Sequence, residues 1–120
     1  RVFKTLLASV EPQLSGVAHV VAIVPVNTQV SLKALAEAIG AKRCEMAAAQ
    51  VAQRITGYVV GGISPFGQRK KLTTVVDQSA ELLTTMFVSG GKRGLDVELS
   101  PSDLVRVLDA RVAAIAVPNG

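Results

Sequence analysis

The sequence holds 120 residues, of which 49% are hydrophobic but only 3% aromatic, and its formal net charge is +4. That length and composition suit one domain with a core of Val, Leu, Ile and Ala, and they exclude a disordered tail. The single cysteine, Cys44, excludes an intrachain disulfide and suits a reducing cytoplasm, while the positive charge favours a polyanionic partner without specifying one.

Residues 1–10 alternate as a strand, 11–16 read as its turn, and 17–26 as a second strand apolar enough to be central. This longest apolar stretch falls well short of the roughly 20 residues of a membrane span, and His19 and Pro25 interrupt it. Neither terminus has a secretory pattern, so no membrane association is expected. Because the chain opens on a strand without a methionine, an upstream segment is expected ahead of it. Residues 31–40 predict a helix with Ser31 as N-cap, Leu32, Leu35, Ala36 and Ile39 on one face, and Gly40 as its left-handed stop. A short strand at 42–47, a second helix at 48–57 closed by Gly57, and a brief strand at 58–60 lead into a glycine loop.

Strands are then expected at 72–77 and 84–90, separated by 78–83, followed by a turn at 90–94 and an alternating strand at 95–100. Ser100, Pro101 and Asp103 mark the start of a helix over 100–110, and 111–117 close the chain as a strand before a polar tail. Six or seven strands and three or four helices, without strict alternation, predict an α/β (α+β) fold for a single domain over 1–120. Its sheet is expected to be mixed and partly closed, like a barrel, with helices packed outside.

His19, Cys44, Tyr58 and the scattered carboxylates lack metal-ligand spacing, so neither metal nor cofactor is expected. Ser64 stands outside a nucleophile elbow and suits a turn hydroxyl. Gly61 and Gly62 leave two readings: an ordinary bulge, or backbone N–H donors for an oxyanion or phosphate. The stretch SGGKRG at 89–94 poses the same choice between a solvated hairpin and a second loop on one anion. Arg69, Lys70, Lys71, Lys92 and Arg93 sit in these two glycine-bearing loops, which raises the expectation that both flank one site. Lys4 lies inside a strand and is either edge-exposed or ligand-facing; Tyr58 is either core or a stacking surface.

Taken in order, VFKTLL, LKALAEAIGAKRCEMA, ITGYVVGGISPFGQRKKL, VVDQSA and VSGGKRGLDVELSPSDL resemble the bacterial YbaK-type Cys-tRNA(Pro) deacylases. These are relatives of the insertion editing domain of bacterial prolyl-tRNA synthetase. The resemblance covers nearly the whole chain. It implies a cytoplasmic enzyme that releases cysteine from mischarged tRNA(Pro) in trans, by attack of the substrate's own thiol on the ester, possible partners being the tRNA acceptor end and prolyl-tRNA synthetase in a ternary complex. Proline and cysteine are too similar in size for one pocket to separate them strongly, so a second site must clear the errors.

By the same resemblance Lys4 and Gly61 are the catalytic positions, with Tyr58, Gly62, Ile63, Ser64, Gly90 and Gly91 around the substrate. Arg69, Lys70, Lys71, Lys92 and Arg93 are expected on tRNA phosphates. Family members carry several dozen residues ahead of the F-K-T strand, and Phe66 and Arg69 stand where leucine and lysine are commoner. The competing expectations are a deacylase for Ala-tRNA(Pro) or another mischarged tRNA, and a non-catalytic tRNA- or synthetase-binding module.

Overall fold

A computed structural model describes residues 1–119. In chain order its elements are β1 (Phe3–Leu14), β2 (Val17–Pro25), β3 (Thr28–Val30), α1 (Leu32–Ile39), β4 (Arg43–Met46), α2 (Ala49–Thr56), β5 (Thr73–Asp77), a 3-10 helix (Gln78–Leu82), β6 (Met86–Lys92), β7 (Leu95–Leu99), α3 (Pro101–Leu108), β8 (Arg111–Ala113) and β9 (Ala116–Pro118). The main sheet runs β4-β1-β2-β5-β8, with β3–β9 and β6–β7 as separate two-stranded ladders. It is mixed, as expected: β1 is antiparallel to β2 and β4, while β5 is parallel to β2 and β8.

The apolar run in β2 explains the layering. Val20 to Val24 are all buried because the sheet is covered on both faces. Val21 and Ile23 join Phe3, Leu7 and Val76 under Ala52 and Ile55 of α2 and Leu104 of α3. Val20, Ala22 and Val24 join Ala8, Val10 and Val75 under Leu35 and Ala36 of α1, with Cys44 and Ile115. Each buried Val, Leu or Ile side chain among these contributes about 1.5–3 kcal/mol by leaving water, which makes up for the scarcity of aromatic anchors. Burial also pushes the Cys44 thiol up from its ordinary range, which makes it a packing residue.

The helix caps follow the sequence. Ser31 accepts from Ala34 N–H and Gly40 closes α1 at φ 74°, while Ser100 accepts from Asp103 N–H at the start of α3. Four features differ from expectation. The first turn shrinks to Ser15 and Gly16, both at positive φ, because β1 continues through Pro12 and Gln13 to Leu14 across a register shift. Residues 58–60 are no strand: Gly57 and Gly61 hold φ of 86° and 92°, and Tyr58 N–H bonds back to the Thr56 hydroxyl, so the chain turns. Gly90 and Gly91 belong to β6, across a bulge, and the hairpin turn is Arg93 and Gly94. Finally, 111–117 splits into β8 and β9, which with β3 raises the strands to nine among the described residues.

The split has a cause 38 residues away. Asp77, 5% exposed, accepts from Ile115 N–H at 3.0 Å and Ala116 N–H at 2.9 Å through Oδ1, and from Ser79 N–H at 3.1 Å through Oδ2. These backbone donors break the last strand where they turn towards the carboxylate. The β6–β7 hairpin meets the start of the chain through one parallel bridge, Val2 to Phe87, with Phe87 N–H bonded to the Arg1 carbonyl at 2.8 Å. No ladder joins β4 to β8 among the described residues.

Candidate active site

The β6–β7 hairpin organises the site. Its strand β6 sends Met86 and Val88 into the core beside Phe3 and Leu7, so Phe87 and Ser89 take the opposite face. Lys4 alternates with Phe3 and Thr5 and leaves β1 on that same opposite face, half-buried and without a hydrogen bond or ion pair among the described residues. The parallel Val2–Phe87 bridge brings the start of β1 to β6, and Ser89 pairs with Asp96 across the hairpin. Sequence reasoning did not single out Ser89, whose hydroxyl accepts from Gly91 N–H at 3.2 Å and holds the bulge.

Residues 57–67 then seat on the hairpin's end. A Cβ on Gly62 would stand 3.1 Å from Lys92 Cα and 3.3 Å from Arg93 N, and one on Gly61 2.9 Å from Arg93 Nε. One on Gly91 would stand 3.1 Å from the Tyr58 ring. The Tyr58 hydroxyl, in turn, donates to the Phe66 carbonyl. Tyr58 therefore ties the glycine loop to the hairpin from a half-buried position. Ile63 is buried in the core with Phe3 and fastens the loop from below.

Backbone donors are distributed unequally. Gly62 N–H is taken by the Val59 carbonyl at 2.8 Å, whereas Gly61 and Ile63 N–H bond to no protein acceptor among the described residues. Ser64 is buried, its hydroxyl accepting from Phe66 N–H at 3.1 Å and its carbonyl from Gln68 Nε2 at 2.9 Å, so it holds the turn. The two open N–H groups are the chemistry such a loop can offer: donors for a developing oxyanion.

The cations divide. Lys92 and Arg93 stay at the glycine loop, where Arg93 donates to the Val60 carbonyl at 3.4 Å. Arg69 lies against Gly57, while Lys70 and Lys71 are carried away to depressions shared with His19, Phe66 and Leu108. The larger apolar cavity between the 3-10 helix and α3, about 530 Å³ and lined by Val76, Leu83, Pro101 and Val105, contains none of the expected site residues.

Gly62→Ala tests the seating. The added methyl meets backbone rather than a flexible side chain, so the two loops must part by a few tenths of an ångström. Because misplacement on the order of 1 Å can cost about 10²-fold in rate, a loss of about tenfold in single-turnover ester cleavage is expected, with the melting temperature little changed. Full activity in this variant would mean that the loop contact is not part of the site.

Residues 1–107 match the aminoacyl-tRNA editing domain family. A protein of Enterococcus faecalis named as a candidate Cys-tRNA(Pro)/Cys-tRNA(Cys) deacylase, EbsC, is 36% identical over 115 residues, 96% of this chain and 68% of that protein. An Escherichia coli protein named as a multifunctional Ser/Thr-tRNA deacylase, ProXp-y, is 32% identical over 90 residues, 74% of this chain and 54% of that one. Among solved structures, one titled as a candidate trans-editing enzyme for prolyl-tRNA synthetase superposes with a TM-score of 0.83 at 19% identity, over 99% of this chain and 71% of that one. No helix of the described residues is long and apolar enough to cross a membrane.

Proposed function

The chain belongs to the aminoacyl-tRNA editing domain family, and from that membership and the geometry of the site we propose that it cleaves the ester of mischarged Cys-tRNA(Pro) in trans. The observation that carries this reading is the glycine loop, with the free Gly61 and Ile63 N–H groups, seated on the end of the β6–β7 hairpin, whose strand β6 meets the chain at Val2, two residues before Lys4. The site holds the terminal ribose and aminoacyl group. Lys4 holds the charged or hydroxyl-bearing end of the substrate, and the backbone donors face the ester carbonyl.

Thiol-assisted cleavage asks little more of the protein. The substrate's sulfur bonds to its own carbonyl carbon, the ester C–O bond breaks, the ribose leaves as a hydroxyl that takes the thiol proton, and water then opens the resulting cyclic thioester to free cysteine. Positioning suffices, because an intramolecular attack held near its productive geometry reaches effective molarities on the order of 10⁵ M or more. Prolyl-tRNA synthetase as a third member of the complex would supply the tRNA identity that this small surface lacks.

A second reading is favoured by the E. coli relative's name: cleavage of seryl or threonyl esters, whose hydroxyl replaces the thiol. The test compares Cys-tRNA(Pro), Ser-tRNA(Pro), Ala-tRNA(Pro) and Cys-tRNA(Pro) with its thiol methylated. Thiol assistance predicts that only free cysteine is released quickly, the others decaying at least about tenfold more slowly. Equal cleavage of the alanyl and methylated substrates would replace thiol attack with attack by water.

A further inference from the structure

Resting on the deacylase reading, we propose that His19, Arg54, Lys70 and Lys71 form a second anion site, which takes backbone phosphates of the RNA strand leading away from the aminoacyl end. Three separate parts of the fold deliver these groups: β2, α2 and the segment that precedes β5. A cavity of about 160 Å³ is lined by Gly16, Val17, His19, Ile55, Lys70 and Lys71. Arg54, exposed on α2 next to Ile55, is near enough for its charge to act on His19, as does that of Lys70.

Like charges gathered in this way repel one another, and nothing in the fold offsets them. The one ion pair among the described residues is Arg106 with Asp103, on α3, and no carboxylate lines this cavity. A phosphate relieves the repulsion and gains from three cations at once. His19 adds a ring N–H. Burial first, then Arg54 and Lys70, hold its pKa below 6.5, so at neutral pH it contributes a donor and not a charge.

A chain of contacts links this cavity to the glycine loop. Lys70 and Lys71 also line a neighbouring depression of about 300 Å³ with Phe66 and Gln68. Phe66 is hydrogen-bonded to Tyr58, which abuts Gly91, and Arg69 lies over Gly57 between the two regions. A strand whose 3′ end sits at Gly61 has its next phosphates to place, and this is where the unpaired cations stand. That continuity selects RNA over other polyanions.

The experiment measures binding of a labelled acceptor-stem RNA hairpin with a single-stranded 3′ end, from roughly 50 to 300 mM salt, for the wild-type chain, Arg54→Gln and Arg54→Lys. Each lost phosphate contact should lower the slope of log affinity against log salt by about 0.7–0.9. Arg54→Gln is expected to lose about that much, and Arg54→Lys to retain the wild-type slope. An unchanged slope in Arg54→Gln, or an equal loss in Arg54→Lys, would overturn the site. Deacylation of Cys-tRNA(Pro) by the wild-type chain, measured alongside, keeps the two readings apart. Cleavage with an Arg54-independent slope defeats only the phosphate site; an Arg54-dependent slope without cleavage defeats only the deacylase.

Discussion

Replacing Lys4 with alanine is expected to lower single-turnover cleavage of Cys-tRNA(Pro) by about 10²- to 10³-fold, the size of effect seen when one electrostatic group is removed from a preorganised site. The fold should survive. Lys4 is only half-buried, makes no hydrogen bond or ion pair among the described residues, and contributes no part of either core cluster. A merely structural lysine would behave in the opposite way, shifting the melting temperature and sparing the rate. Lys4→Arg separates charge from shape, since a guanidinium keeps the charge but spreads it over a planar fork. Partial recovery in that variant is expected. A Lys4→Ala protein that cleaves at the wild-type rate would remove Lys4 from the site.

The largest loss of stability is expected from Asp77→Ala. Its carboxylate accepts three backbone N–H groups from two segments, and truncation leaves those donors without an acceptor in a site 5% exposed. A hydrogen bond to a charged group is worth about 1.5–3 kcal/mol, so a loss of about 3 kcal/mol or more is reasonable. For a domain of this size that corresponds to a fall in melting temperature on the order of 10 °C.

The same residue sets an acid limb. Burial alone would raise the Asp77 pKa, but the adjoining Ser79 hydroxyl, outside hydrogen-bonding geometry, and the N–H groups of Ala116, Ser79 and Ile115 outweigh it, and the carboxyl is held below 3.8. Its stabilisation is therefore complete above the unfolded value and is lost as pH falls through the lower folded value, that is, below about pH 4. Thermal melts from pH 7 downward should show wild type losing its advantage over Asp77→Asn in that window. A constant difference down to pH 2 would place the acid limb elsewhere.

What the sequence displayed was mostly local chemistry. Ser31 and Gly40 bound α1 as read, because both capping bonds form within four residues. The apolar run of β2 announced a strand covered on both faces. Residues 58–60 have strong β propensity, yet two glycines at positive φ turn the chain, and a propensity of about 1 kcal/mol cannot resist that. The last strand looked continuous because Asp77, which breaks it, is remote in sequence.

The same limit governed the candidate site. Lys4, Gly61 and the two glycine-bearing loops were visible as residues, and the contact of 61–62 with 92–93 was expected in kind. That the hairpin reaches the start of β1 depends on one parallel bridge between residues 2 and 87, which no local pattern encodes. Conversely, Lys70 and Lys71 looked like neighbours of Lys92 and Arg93 from their shared glycine contexts. Arg69 N–H bonds to the Thr56 carbonyl at 3.3 Å, and the lysines that follow line the depression with His19 instead.

The most direct measurement is single-turnover decay of Cys-tRNA(Pro) with excess protein, beside Pro-tRNA(Pro) and the protein-free rate. The deacylase reading predicts rapid loss of the cysteinyl ester and persistence of the prolyl ester. Decay of both at the protein-free rate, with the tRNA bound, would contradict it and leave a module that binds tRNA without acting on it.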